Sequence, residues 1–415
     1  MAITPVVPYI QLPGVDIAYN DFPPILAVGC GLIYVATRHR HRLPVPLPVA
    51  AFLTALIAVI AGASATANGL LPKDLLGGPI RWTETTILIA LAFIIGGDRE
   101  LRALLLRAAT VIATGAALIG IAAFVVGFEG PHYLGIEAFR SYQSLYGVFP
   151  GRISSTLGLP SSAAAALFAL ALPIAVGYAI GASGPARTRW LFAAATLSIA
   201  LLFTFGRVST ALGLGLVVVL LALRLRPQVA VSAGVAALVL VLGSPLRARF
   251  LDDSNDRLAL WSAALEMIKA HPLLGVGPTQ YEDALPEFRN TRFGLAGSTA
   301  HNSLLEAAAT LGLAAGILLT LAILVSLLAW LPAALRCRRV APEVLGAWLG
   351  LTGFALSSLT VNFFFWPQLG LLFWTMAMAF SRSATQPAPQ ALLPSQVRSG
   401  ALPTLVRRRS VSAGL

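Results

Sequence analysis

Residues 301–332 read HNSLLEAAATLGLAAGILLTLAILVSLLAWLP, and from Ser303 onward the run holds one acid, Glu306, and no base. A helix rises about 1.5 Å per residue, so about 20 apolar residues cross the hydrocarbon core of a bilayer. This run is long enough. Its apolar residues are continuous rather than alternating, which selects a spanning helix over a barrel strand. Similar runs recur along the chain. Spans are expected near residues 22–37, 44–66, 82–97, 108–127, 160–182, 190–206, 208–223, 228–243, 303–332, 345–364 and 368–381.

Composition supports this reading. Hydrophobic residues make up 57% of the 415 and charged residues 11%. A water-soluble domain carries roughly 25% charged residues, so the solvent of this chain is largely lipid. The expected fold is an all-α polytopic membrane protein of about eleven helices, ten to twelve at the limits. The bundle covers residues 1–382, and residues 383–415 form a basic, disordered cytoplasmic tail rich in Pro, Ser and Arg. The arginines at 407–409 are placed to touch anionic membrane lipid. Residues 1–21 contain Pro5, Pro8, Pro13 and Gly14, too broken for a span; if they re-entered the bilayer, twelve spans would put both termini in the cytoplasm.

Loop charge orients the chain. With the amino terminus outside, the inner segments hold 18 basic residues against three acids, Asp98, Glu100 and Glu343. The outer segments hold 11 basic residues against 13 acids. Lys and Arg accumulate on the cytoplasmic side of spans. The net charge of +12 therefore records topology and argues against nucleic acid as a partner. The expected location is a bacterial inner membrane, with a periplasmic amino terminus and a cytoplasmic carboxy terminus. Cys30 and Cys337 fall at different depths, so neither a disulfide nor a zinc site is expected.

Outward polar chemistry is concentrated in two loops, 128–159 and 244–302. Loops of this length in a compact protein usually carry function. The second contains DRLALWSAALEMIKA at 256–270, an amphipathic helix with Asn255 as its cap and Leu258, Trp261, Leu265 and Ile268 on its apolar stripe. Pro272 and the run GVGP at 275–278 end it, and Thr279 with Glu282 forms a capping box for a second helix. His301-Asn302 then stands at the mouth of the long apolar run. A histidine there is structural or catalytic, and position does not choose. Arg207, in FTFGRVSTALG, sits between two apolar runs, where it either snorkels to lipid phosphate or clamps an anion. Asp252, Asp253 and Asp256 are loop acids read as solvated rather than as metal ligands. Glu306 lies about 140° around the helix from His301, off its face. A transporter is the rival class, but Glu306 is the one acid inside a span and no repeat is evident.

Three stretches together resemble the O-antigen ligase and O-antigen polymerase superfamily. GRISSTLGLP at 151–160 is similar to its arginine-led segment, though Ser161 stands where the family often has Asn. GRVST at 206–210 resembles its Ser-Arg turn, with Gly206 replacing the serine. Residues 257–278 are similar to its Arg, Trp and Pro-Leu-Leu-Gly-Val-Gly pattern, and lead to His301-Asn302, nine residues and Gly312. Ala315 takes the place of the second glycine of the ligase signature, and Gly316 follows. The resemblance covers roughly residues 150–320 and is closest to the ligases.

It implies a metal-independent membrane glycosyltransferase with an architecture similar to the GT-C type and no cofactor. Its donor would be a glycan on undecaprenyl diphosphate. Its acceptor would be a hydroxyl of lipid A-core oligosaccharide, or of another sugar in a polymerase, on the periplasmic side. Arg152, Arg207 and Arg257 would bind the diphosphate, since guanidinium offers a permanent charge and a planar fork. His301 would act as general base or bind the diphosphate, with Asn302, Trp261, Tyr281 and Arg289 in support. If the fork matters at Arg207, Arg207→Lys keeps the charge and lowers turnover in a reconstituted transfer assay. Equal rates for the two side chains would show that charge alone suffices.

Overall fold

A computed structural model describes residues 9–12, 15–18, 30, 48–70, 76–126, 153, 161–225, 227–243, 255–288, 299–337, 341–365 and 367–385. The expected span at 22–37, most of loop 128–159, Arg152, Arg289, Asp252, Asp253 and the tail beyond residue 385 lie outside them. The chain is a helical bundle, with one addition. Tyr9–Leu12 (β1) and Val15–Ala18 (β2) pair antiparallel, Leu12 opposite Val15. The described residues of this stretch are strand rather than helix.

Among the described residues seven helices are long and apolar enough to cross a membrane. They are α1 (Val49–Ala67), α2 (Arg81–Ile95, with a π turn at Leu76–Ile80), α3 (Arg99–Val126), α4 (Ser161–Gly181), α5 (Gly184–Phe203), α6 (Arg207–Arg224) and α11 (Leu313–Cys337). α7 (Pro227–Gly243), α12 (Pro342–Ser357) and α13 (Pro367–Thr385) are the remaining long helices. Between α7 and α11 come α8 (Asn255–Ala270), α9 (Tyr281–Phe288) and α10 (Ser303–Leu311).

α4 is the central post. Ala163 to Leu172 are all buried, an alanine-rich surface that lets other helices approach closely. α12 uses this. A Cβ on Gly346 would strike the Pro173 carbonyl, one on Gly350 the Leu170 carbonyl, and one on Gly177 the α12 backbone at Glu343. Helix association in lipid relies on such packing because no hydrophobic force separates helix from solvent there.

The helix ends sort into two sets. At one end Ser64 Oγ donates to the Leu274 carbonyl at 2.5 Å, Ile153 N–H to Phe203 O at 3.0 Å, and Ser303 N–H to Ser358 O at 2.9 Å. At the other, Gly96 abuts Ala379, and Pro342 and Glu343 lie against Gly177 and Gly181. The long polar connection 244–302 enters the first end. Arg99, Arg102, Arg187, Arg189, Arg224 and Arg336 lie at the second.

The expected continuous span at 303–332 is broken. Helix α10 stops at Leu311, Gly312 takes φ 94°, and α11 begins at Leu313. The segment Pro272–Gly277 causes the break. Val276 N–H donates to Ala309 O and Gly277 N–H to Thr310 O, each at 3.0 Å, and Leu313 N–H donates to Pro272 O at 2.9 Å. The last carbonyls of a helix need such partners. Gly275 (φ 65°) and Gly312 let the two backbones meet, because a Cβ on either would collide with the other strand. Glu306 therefore sits on a short helix of its own, ahead of the candidate span Leu313–Cys337.

The expected stripe on the amphipathic helix also differs. α8 buries Leu260, Ala263, Ala264 and Met267 against Tyr281, Leu285 and Ala309, whereas Leu258 and Leu265 are exposed. The small pair Ala263-Ala264 admits α10 closely, so the larger leucines turn outward. Thr279 takes φ 66° and α9 starts two residues later than the expected capping box.

Gly312→Ala should destabilise the protein by about 1–3 kcal/mol, since it adds backbone strain and a collision. Gly115→Ala on α3 meets nothing and should be neutral or stabilise by up to about 1 kcal/mol. Thermal unfolding in detergent, followed by tryptophan fluorescence, checks both; equal melting temperatures would refute the seam.

Candidate active site

His301 occupies a left-handed turn, with φ 49°. Non-glycine residues adopt this conformation rarely, and it persists only where neighbours impose it. Here they do. On one side Asn302 caps α10, its Oδ1 accepting from Leu304 N–H at 3.0 Å and Leu305 N–H at 3.1 Å. On the other, Ala300 N–H donates to Glu306 Oε2 at 3.2 Å. Thr299 Oγ1 accepts from His301 N–H at 3.4 Å and lies 3.5 Å from Nδ1. The ring is half-buried.

Arg257, near the start of α8, is close enough to act on that ring electrostatically. Burial lowers the His301 pKa below the ordinary histidine value, and the positive Arg257 lowers it further. The imidazole is therefore neutral at pH 7, with a lone pair available to take a proton. One turn after Arg257 stands Trp261. Its indole Nε1 is buried and has no hydrogen-bond partner among the described residues. An unmet buried donor beside a charged group is a place for a ligand acceptor.

Arg207 opens α6 after a tight corner, with Phe205 at φ 55° and Thr210 N–H donating to Gly206 O at 2.9 Å. A Cβ at Gly206 would come 2.7 Å from Ala165 of α4. Glycine is thus the residue that fits at this corner. Two residues on, Ser209 Oγ meets Ser357 Oγ at 3.4 Å, and the next residue, Ser358, accepts from Ser303 N–H. The carboxy-terminal turn of α12 therefore joins the corner that carries Arg207 to the turn that carries His301. Ile153 is fastened to Phe203 at the same corner; its neighbour Arg152 is outside the described residues.

Two expected supporting residues are structural. Tyr281 is buried and donates to Leu260 O at 2.8 Å, tying α9 to α8; burial raises its phenol pKa, helped by Glu306. Asn302 spends its carbonyl on the helix cap. Asn362 was missed. Its Nδ2 donates to Glu306 Oε1 at 3.5 Å, and its signal is an amide inside the apolar run TVNFFFW.

The spacing between His301 and Gly312 is now a physical length: it is helix α10 with its cap. Residues 192–320 match the family model described as O-Antigen ligase. This segment is similar to the O-antigen ligase family. It includes Arg207, Arg257 and His301 and begins after Arg152. No curated protein matches the chain. Within the matched segment Ala315 takes the place of the signature's second glycine, and Gly316 follows it. A Cβ at Gly316 would lie 2.8 Å from Ala308, so α11 folds back on α10 there.

Arg257→Gln should raise the His301 pKa while leaving it below the ordinary value, because burial is the larger cause. The pH dependence of His301 carbethoxylation, read by mass spectrometry, checks the sign. An unchanged or lower value would show that Arg257 does not act on the ring.

Proposed function

We propose that the chain transfers a glycan from undecaprenyl diphosphate to a hydroxyl of lipid A-core oligosaccharide at the periplasmic face of a bacterial inner membrane. The observation that carries the proposal is the half-buried His301, within electrostatic reach of Arg257, inside the segment that is similar to O-antigen ligases. The distribution of arginines between the two helix ends supports the orientation, with the His301 end outward.

In the proposed step the acceptor oxygen forms a bond to the anomeric carbon of the donor glycan. The bond from that carbon to the diphosphate oxygen breaks, and its electron pair leaves with undecaprenyl diphosphate. His301 takes the acceptor's proton. A base with a pKa below neutrality is already deprotonated at pH 7, which suits that role. Arg257 and Arg207 stabilise the charge that grows on the leaving group, the kind of electrostatic help that is usually largest in catalysis. Arg152 adds a third cation, and Arg289 lies in the same connection. The Trp261 indole N–H donates to a phosphate or sugar oxygen of the bound donor.

A base and a leaving-group clamp need not touch each other. The turn of α12 that ties the Arg207 corner to the His301 turn supports the two acting on one bound donor. Fixed guanidinium charges supply the electrostatic work, so the proposed transfer needs no metal.

His301→Ala should abolish transfer from a lipid-linked glycan in reconstituted vesicles, with expression and melting temperature preserved. Supplying lipid A-core and sugar acceptors in separate reactions reads out ligase against polymerase. Full activity of the purified variant would remove His301 from the mechanism.

A further inference from the structure

Glu306 is 6% exposed, and both of its carboxylate oxygens are engaged by donors from different places in the chain. Burying a carboxyl group is costly, and a well-packed apolar residue is often more stable in such a position. Its presence there calls for a specific task. In a capping box the residue three after the cap reaches back to the cap's own N–H. Here that position is Leu305, which is apolar. The carboxyl stands one residue later and reaches past Asn302 and His301 to Ala300 N–H.

The result brackets one residue. Asn302 holds the chain after His301 by binding the first N–H groups of α10, and Glu306 holds the chain before it. The other oxygen accepts from Asn362, in the connection between α12 and α13. That connection is itself tied to α10: Ser303 Oγ donates to Val361 O at 3.3 Å and accepts from Phe364 N–H at 3.4 Å.

Resting on the proposed transferase reading, we propose that Glu306 is the positioning residue of the site: it fixes the left-handed turn that presents His301 to the acceptor. What the turn needs from Glu306 is an acceptor oxygen. Burial raises the Glu306 pKa to about 8, so the acid is largely neutral at pH 7 and still accepts through its carbonyl oxygen. Glutamine supplies the same oxygen, and Asn362 can rotate its amide to match. Leucine fills the volume and supplies none.

The test compares Glu306→Gln, Glu306→Leu and Asn362→Leu as full-length proteins in nanodiscs. Glu306→Leu should lose about 10²-fold in kcat with an unchanged KM for donor, as expected for a misplaced catalytic group. Glu306→Gln should stay near wild type. Asn362→Leu should fall in the same direction as Glu306→Leu, and stands in if that variant does not fold. A second readout is independent of glycan transfer. The rate of His301 carbethoxylation should rise in Glu306→Leu and Asn362→Leu and stay at the wild-type value in Glu306→Gln, with His271 on the same connection as internal control. An unchanged His301 rate in both leucine variants overturns the inference, as does Glu306→Gln behaving like Glu306→Leu. Absence of transfer by the wild-type protein would instead defeat the transferase reading and leave the labelling result to decide the turn.

Discussion

The site depends on a contact between two backbones. Pro272–Gly277 lies against the end of α10, gives its N–H groups to the carbonyls of Ala309 and Thr310, and forces the chain to break at Gly312. Without that break, residues 303–332 would run as one helix. With it, α10 becomes a separate short element whose far end is capped by a neighbouring loop. Glycine is required on both sides of the seam, since neither strand leaves room for a Cβ. The amphipathic helix α8 ends where this segment begins, so the seam also sets where Arg257 stands relative to His301.

From there the polar contacts at this end of the bundle form a connected set. Glu306 and Asn302 hold the His301 turn from either side. Ser303 binds the Ser358 carbonyl, and Ser357 meets Ser209, two residues beyond Arg207. The groups proposed to act on donor and acceptor are thus mounted on turns that share partners, while their helices are fixed by close packing around α4. Rigid mounting of a few charged groups is what electrostatic catalysis asks of a protein.

Much of the bundle was legible in the sequence because hydrocarbon imposes a simple rule on composition and length. The long helices from α1 to α7 and from α11 to α13 follow runs of apolar residues. The break at Gly312 was not legible, because nothing in LGLAAG departs from the apolar pattern; the cause lies about forty residues earlier, in a segment that meets it only in three dimensions. The buried face of α8 was misread for a related reason. Leucines at 258 and 265 carry the larger apolar surface, but Ala263 and Ala264 carry the shape that α10 needs. His301, Arg207 and Arg257 were singled out as candidates from residue type, position and the family resemblance. The contact from Glu306 to the His301 turn was not legible, because it is made through the backbone of Ala300 rather than across the helix face.

The proposed mechanism rests on the guanidinium groups of Arg207 and Arg257 holding a lipid-linked diphosphate next to His301. Binding of radiolabelled undecaprenyl diphosphate to nanodisc-embedded protein tests it most directly. Arg207→Ala and Arg257→Ala should each weaken binding by about ten- to a hundredfold, the value of a charge-assisted hydrogen bond, while His301→Ala binds as wild type. Undiminished binding by both arginine variants would contradict the claim.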